Sequence, residues 1–271
     1  MTHSSNIHPT NTSPSNISQF HIPQADILCS TIQLLNDGLE IPAYIAQPQT
    51  VGPDTAPVPA IIVLQEIFGV NHHIRDVTKR IARLGYVAIA PALYERQAPG
   101  FETGYTPESI TIGRTHKQNT QAQELLGDIQ AAINYLNTLT TVDPGSIGCI
   151  GFCFGGHVAY LAATLPAIKV TASFYGAGIT TWCPGEALPT VNRTGQIHGT
   201  LYGFFGMEDQ SIPTSQVDEI EQALQHHKVA HQVFRYPDAG HGFFCDQRGS
   251  YNSTAAAAAW DQVQALFQTL K

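Results

Sequence analysis

The chain has 271 residues, 43% of them hydrophobic and 13% charged, which is enough to bury one large core and too little to require two. Its formal net charge is −8 and its thirteen Lys and Arg residues are scattered, so no nucleic-acid partner is expected. No apolar run reaches the roughly 18 residues of a membrane span, and the first thirty residues lack the basic-then-apolar order of a secretory signal. The expected setting is cytoplasmic, with no membrane partner, as a monomer or weak homo-oligomer.

Residues 1–24 are rich in Ser, Thr, Asn and Pro, with too few large apolar groups to offset the entropy of ordering them. They are expected as a disordered tail ahead of one domain over 25–271. From Ile27 to Ala46, two short apolar stretches flank Asn36-Asp37-Gly38, a strong hairpin signal. Ala60 to Leu64 reads as a strand buried on both faces, ending at Gln65-Glu66. A helix over Ile74–Leu84 stops at Gly85, and Tyr86–Ala90 is a second buried strand halted by Pro91. Ala122–Leu136 is an amphipathic helix, with Leu125, Ile129, Ala132, Ile133 and Leu136 on one face. It leads into a strand over Ile147–Gly151, and another helix begins near Gly156.

Further strands are expected at Val170–Tyr175, Gly199–Phe205 and His231–Tyr236, with helices at Ser215–His226 and Ser253–Leu270. The alternation implies a mostly parallel central sheet, helices on both faces and an N-terminal antiparallel hairpin.

Five cysteines, at 29, 149, 153, 183 and 245, form no CxxC pair, which fits neither a disulfide framework nor a structural zinc site. Several of the twelve histidines fall in the N-terminal segment or in adjacent pairs such as His72-His73 and His226-His227, whose side chains diverge. No metal and no cofactor are expected.

Chemistry gathers at three places. Gly151-Phe-Cys153-Phe154-Gly155-Gly156 sits where a buried strand gives way to a helix, the nucleophile-elbow pattern with Cys in place of Ser. Such a turn would lift the thiol above the sheet edge at the positive end of a helix, where a thiolate is favoured. Taken alone, the pattern also fits a close-packed junction with an inert cysteine. Asp209 follows the strand that ends at Phe205, with Glu208 as its neighbouring rival and a turn-forming Asp as the plainer reading. His241 follows a further strand between two glycines, which is also compatible with a surface turn. The order nucleophile, acid, histidine is that of α/β-hydrolase enzymes.

With these motifs in hand, the chain resembles the dienelactone hydrolase family, α/β-hydrolases with a Cys-His-Asp triad. The resemblance runs from about Ala60 to the C-terminus. It is carried by Gln65-Glu66-Ile67-Phe68-Gly69-Val70-Asn71, by Leu93-Tyr94-Glu95-Arg96-Gln97-Ala98-Pro99-Gly100, by the cysteine elbow and by Ala239-Gly240-His241. It implies that Cys153, His241 and Asp209 open a small-molecule lactone or ester through a thioester, with the amides of Ile67 and Phe154 as oxyanion hole. It further implies that Glu66 holds the resting thiol, that Arg96 pairs with a substrate carboxylate and that Tyr94 also binds substrate.

The chain departs from the family pattern where a second carboxylate-binding arginine stands four residues after the histidine: here the residue is Cys245, with Arg248 three positions further on as a candidate replacement. A broader carboxylesterase or thioesterase, a silent binding protein of the same fold and a thiol redox protein stay open on sequence alone.

Overall fold

A computed structural model describes residues 26–52 and 54–271; the tail expected over 1–24 lies outside the described residues. Strands β1 (Ile27–Asn36) and β2 (Leu39–Pro48) form the expected hairpin, and both turn residues, Asp37 (φ 51°) and Gly38 (φ 77°), take the left-handed conformation that a two-residue hairpin turn demands. Strand β3 (Val58–Leu64) leads through α1 (His72–Arg83) to β4 (Val87–Pro91). Asn71 caps α1, its side-chain oxygen accepting from the Ile74 amide at 3.3 Å. Pro91 is the last residue of β4 and not the first beyond it; it pairs opposite Ala43 as the strand ends.

Helix α2 (Pro107–Gln118) has no counterpart in the sequence reading. It opens with Thr106 as N-cap and Pro107 in the first turn, the pattern suited to a helix start. Helix α3 (Ala122–Leu136) falls where its apolar face predicts, followed by β5 (Val142–Phe152) and α4 (Phe154–Ala162). Strand β6 (Ile168–Phe174), a 3-10 turn over Thr190–Gln196, β7 (Thr200–Gly206), α5 (Thr214–His226), β8 (His231–Tyr236) and α6 (Ser253–Gln268) complete the chain.

The eight strands form one sheet in the order β1-β2-β4-β3-β5-β6-β7-β8. The two pairings at the N-terminal edge, β1 with β2 and β2 with β4, are antiparallel, and all other neighbours are parallel. Right-handed crossovers then place α1 on one face and α3, α4 and α5 on the other. Helix α6 joins α1: Arg80 stacks over Trp260 at 5.4 Å and the Lys271 ammonium donates to the Leu84 carbonyl at 2.9 Å. Covered on both sides, the central strands carry continuous apolar runs, and Ile61, Ile62, Val63 and Leu64 are fully buried. Each such side chain contributes about 1.5–3 kcal/mol by leaving water.

The order in which strands are added reverses between β3 and β5, which run parallel: from β3 the chain moves toward β4, and from β5 it moves toward β6. Ligand sites of open α/β sheets form at such a switch point, beyond the carboxyl ends of the strands. Parallel register sets Leu64 opposite Gly151, so Glu66 and Cys153 each stand two residues past that pair, on adjacent strand tips.

Candidate active site

The turn after β5 is fixed by its glycines. A Cβ on Gly151 would run into the Gly155 carbonyl, one on Gly155 into the Leu64 carbonyl, and one on Gly156 into the Phe174 carbonyl. With those approaches closed, Cys153 is held at φ 56°, ψ −116°, a conformation that a side chain adopts only where its surroundings impose it. Its amide donates to the Phe174 carbonyl at 3.0 Å, so the strain is anchored on the neighbouring strand.

The three candidate triad residues meet at this edge. His241 Nε2 lies 3.1 Å from Cys153 Sγ, and its Nδ1 lies 2.7 Å from Asp209 Oδ2. Asp209 Oδ1 accepts the Ser211 amide at 2.7 Å, which fixes the carboxylate plane. Glu208 instead has an exposed side chain; its contribution is a backbone bond to the Ala239 carbonyl at 2.9 Å. Burial alone pushes the Cys153 thiol up, but the adjoining His241 charge and hydrogen bond outweigh it and bring it below the ordinary range. Burial pulls His241 down, while the Cys153 charge and the bonds to Asp209 and Cys153 carry it well above an ordinary imidazole. Both shifts favour a thiolate beside an imidazolium.

Among the described residues, no acceptor engages the amides of Ile67, three residues beyond the end of β3, or of Phe154, the residue after Cys153. Tyr94 is buried and stacks on Phe154 with ring centroids 5.5 Å apart. Tyr175, which the sequence reading assigned only to a strand, takes φ 36° at the tip of β6 and sets its ring edge against His241 at 5.2 Å. Its place on the strand next to the nucleophile's was the only sequence signal for it.

Two further expected residues have partners of their own in the structure. Glu66 Oε1 accepts from Arg248 Nη1 at 2.9 Å, while the sulfur hydrogen-bonds with His241. A fully buried carboxylate is driven upward in pKa by desolvation, and a guanidinium is the partner that offsets this best. Arg96 is not brought to the triad. Its Nη2 lies 2.7 Å from Asp128 Oδ1, a carboxylate buried in α3 that also accepts from Asn36 Nδ2 at 2.8 Å. A buried acid needs a counter-charge, and Arg96 supplies it.

One group among the described residues has the makings of a metal site: Glu66, His73 and Cys245 place one ligand atom each within 4.8 Å of one another. The field there opposes a cation. Burial, then Arg80 and Arg248, press His73 down to about 3, and Arg248 already occupies Glu66.

The sheet order and the strained elbow define an α/β-hydrolase. The chain belongs to the dienelactone hydrolase family, whose profile matches residues 41–271. As a member it is a hydrolase of ester or lactone bonds. A Synechocystis sp. protein provisionally named carboxymethylenebutenolidase is 57% identical over 244 residues, covering 90% of this chain and 98% of its own length. A Methylorubrum extorquens protein with the same provisional name is 34% identical, over 86% of this chain and 78% of its own. A solved structure from Klebsiella pneumoniae, provisionally named a dienelactone hydrolase, superposes with a TM-score of 0.81 at 30% identity, over 90% of this chain and 99% of that one. Among the described residues, no helix is long and apolar enough to cross a membrane.

Proposed function

We propose that the chain opens a lactone or ester through a thioester on Cys153, in the manner of a carboxymethylenebutenolidase. The observation that carries this reading is the unbroken line from Asp209 Oδ2 to His241 to Cys153 Sγ, with spacings of 2.7 and 3.1 Å at the switch point of the sheet. The thiolate adds to the carbonyl carbon, and the electron pair of the C=O bond moves to oxygen. The amides of Ile67 and Phe154 receive that oxyanion, each such donor contributing on the order of 3 kcal/mol.

Collapse re-forms the carbonyl and breaks the C–O bond; the leaving oxygen takes a proton from the His241 imidazolium. Now neutral, His241 draws a proton from water as the water attacks the thioester, and the acid product and the Cys153–His241 pair are regenerated. Each step uses only groups of this chain, the substrate and water.

Glu66 serves in this reading by holding the Arg248 charge near the sulfur, and Tyr94 by bracing Phe154 behind its amide. With Arg96 committed to Asp128, recognition of a substrate carboxylate by that arginine is not part of the proposal.

The test is mass spectrometry of the protein quenched during turnover of p-nitrophenyl esters and dienelactones. An acyl adduct on the peptide bearing Cys153 is expected, as is a loss of kcat on the order of 10³-fold or more in Cys153→Ala. Turnover retained by that folded variant would remove the nucleophile from the proposal.

A further inference from the structure

Helix α2 lies over the candidate site. Gly113 on that helix sits so close to Ile67 that a Cβ there would run into the Ile67 carbonyl. Lys117, one turn further, projects from the same face as Gly113. Its ammonium rests over the Trp182 ring at 4.8 Å, and Trp182 packs edge-on against His157 at 5.2 Å, one turn into the helix that Cys153 begins. Lys117 therefore lies between the Ile67 loop, which its helix touches at Gly113, and the first turn of the nucleophile's helix, within the field of the Cys153 sulfur. His157 beneath Trp182 brings no second charge: burial presses it to about 4, and its ring bonds are taken by Thr190 and the Ala177 carbonyl.

Arg248, which faces the sulfur, is matched by Glu66, and Arg96 by Asp128; Arg114, on the same helix as Lys117, is exposed to solvent and only opposes the Lys117 charge. Among the described residues, no carboxylate pairs with Lys117. Residues 1–25 contain neither Asp nor Glu. A partly desolvated ammonium without a counter-ion, facing a reactive centre, is a seat for an anion.

We propose that Lys117 is the specificity-determining residue of this hydrolase, seating the carboxylate of an anionic ester or lactone against Trp182 while the scissile carbonyl meets Cys153. The proposal rests on Cys153 as nucleophile, and what it adds is the side chain that seats the carboxylate.

Two alkylating agents of nearly equal size, anionic iodoacetate and neutral iodoacetamide, test it without requiring turnover. Each forms a C–S bond to Cys153 and expels iodide, and the adduct on that cysteine is followed by mass spectrometry in the full-length protein. The ratio of the iodoacetate rate to the iodoacetamide rate is expected to fall on the order of tenfold in Lys117→Met. Lys117→Arg should recover most of it, and Lys117→Gln should follow Lys117→Met. Equal ratios in wild type, Lys117→Met and Lys117→Gln overturn the assignment. The companion measurement is the ratio of kcat/KM for anionic over neutral p-nitrophenyl esters, expected to fall in parallel. If wild type hydrolyses neither ester, the proposed function fails, and the alkylation ratio still decides whether Lys117 seats an anion.

Discussion

Arg248 reaches Glu66 across the site, Nη1 to Oε1 at 2.9 Å, although it stands three residues beyond the position where the family pattern has its arginine. The reason lies in how the loop after His241 winds. Cys245 donates to Gly242, Arg248 to Cys245 and Tyr251 to Arg248, a spacing of three residues that repeats each side chain on one face. Arg248 thus follows Cys245 one turn on, while Gly242 (φ 81°) leaves room for the guanidinium. Arg248→Met is expected to leave Glu66 buried without its partner and to destabilise the fold by about 3 kcal/mol. A urea-unfolding cycle with Glu66→Gln measures this, and the double variant should lose less than the sum of the singles.

The Cys153–His241 pair sets a pH window. A thiol lowered from its usual value near 8.5 and an imidazole raised from its own stay together as thiolate and imidazolium between the two shifted values. Alkylation of Cys153 by iodoacetamide should therefore persist below the range of an ordinary thiol and fade as pH drops through the lowered thiol value. His241→Ala removes the opposing charge and leaves burial to dominate. Its alkylation midpoint should move above about 8.5, as read from rate against pH.

Arg96 predicts a loss of stability, not of selectivity. Arg96→Ala strips Asp128 of its counter-charge and leaves Asn36 alone to satisfy it. A decrease of about 2 kcal/mol in unfolding free energy is expected, below the full value for a buried pair because the guanidinium is partly solvated. The anionic-to-neutral ester ratio should stay within twofold of wild type.

Gly155 has no space for a side chain, because the Leu64 and Gln65 carbonyls bound it and both belong to the main chain. Gly155→Ala should therefore cost about 3 kcal/mol or more and lower the melting temperature by more than any substitution at exposed Gly104, where nothing crowds a Cβ. Differential scanning calorimetry of both variants makes the comparison.

The strands, five of the six helices and the meeting of Cys153, Asp209 and His241 could be anticipated because each depends on local signals: apolar runs, a hairpin Asp-Gly step, glycines around a turn and the order of motifs along the chain. What escaped depends on packing. Helix α2 carries few apolar residues and buries only Ser109 and Gly113, so it lacks a stripe, and only Thr106-Pro107 could have betrayed its start. Tyr175 acquires its place beside His241 from sheet order, which no local pattern encodes. Arg96 and Glu66 were assigned by likeness to relatives, but their partners are decided by which other charges the fold buries, Asp128 in one case and Arg248 in the other.

The left-handed backbone at Cys153 has an evolutionary corollary. Because glycine contacts and a main-chain bond aim that residue, the spot from which attack is launched belongs to the scaffold and not to sulfur. One codon change to serine would set an oxygen there with no rebuilding of the loop, so this architecture can trade one reactive atom for another while its address stays the same.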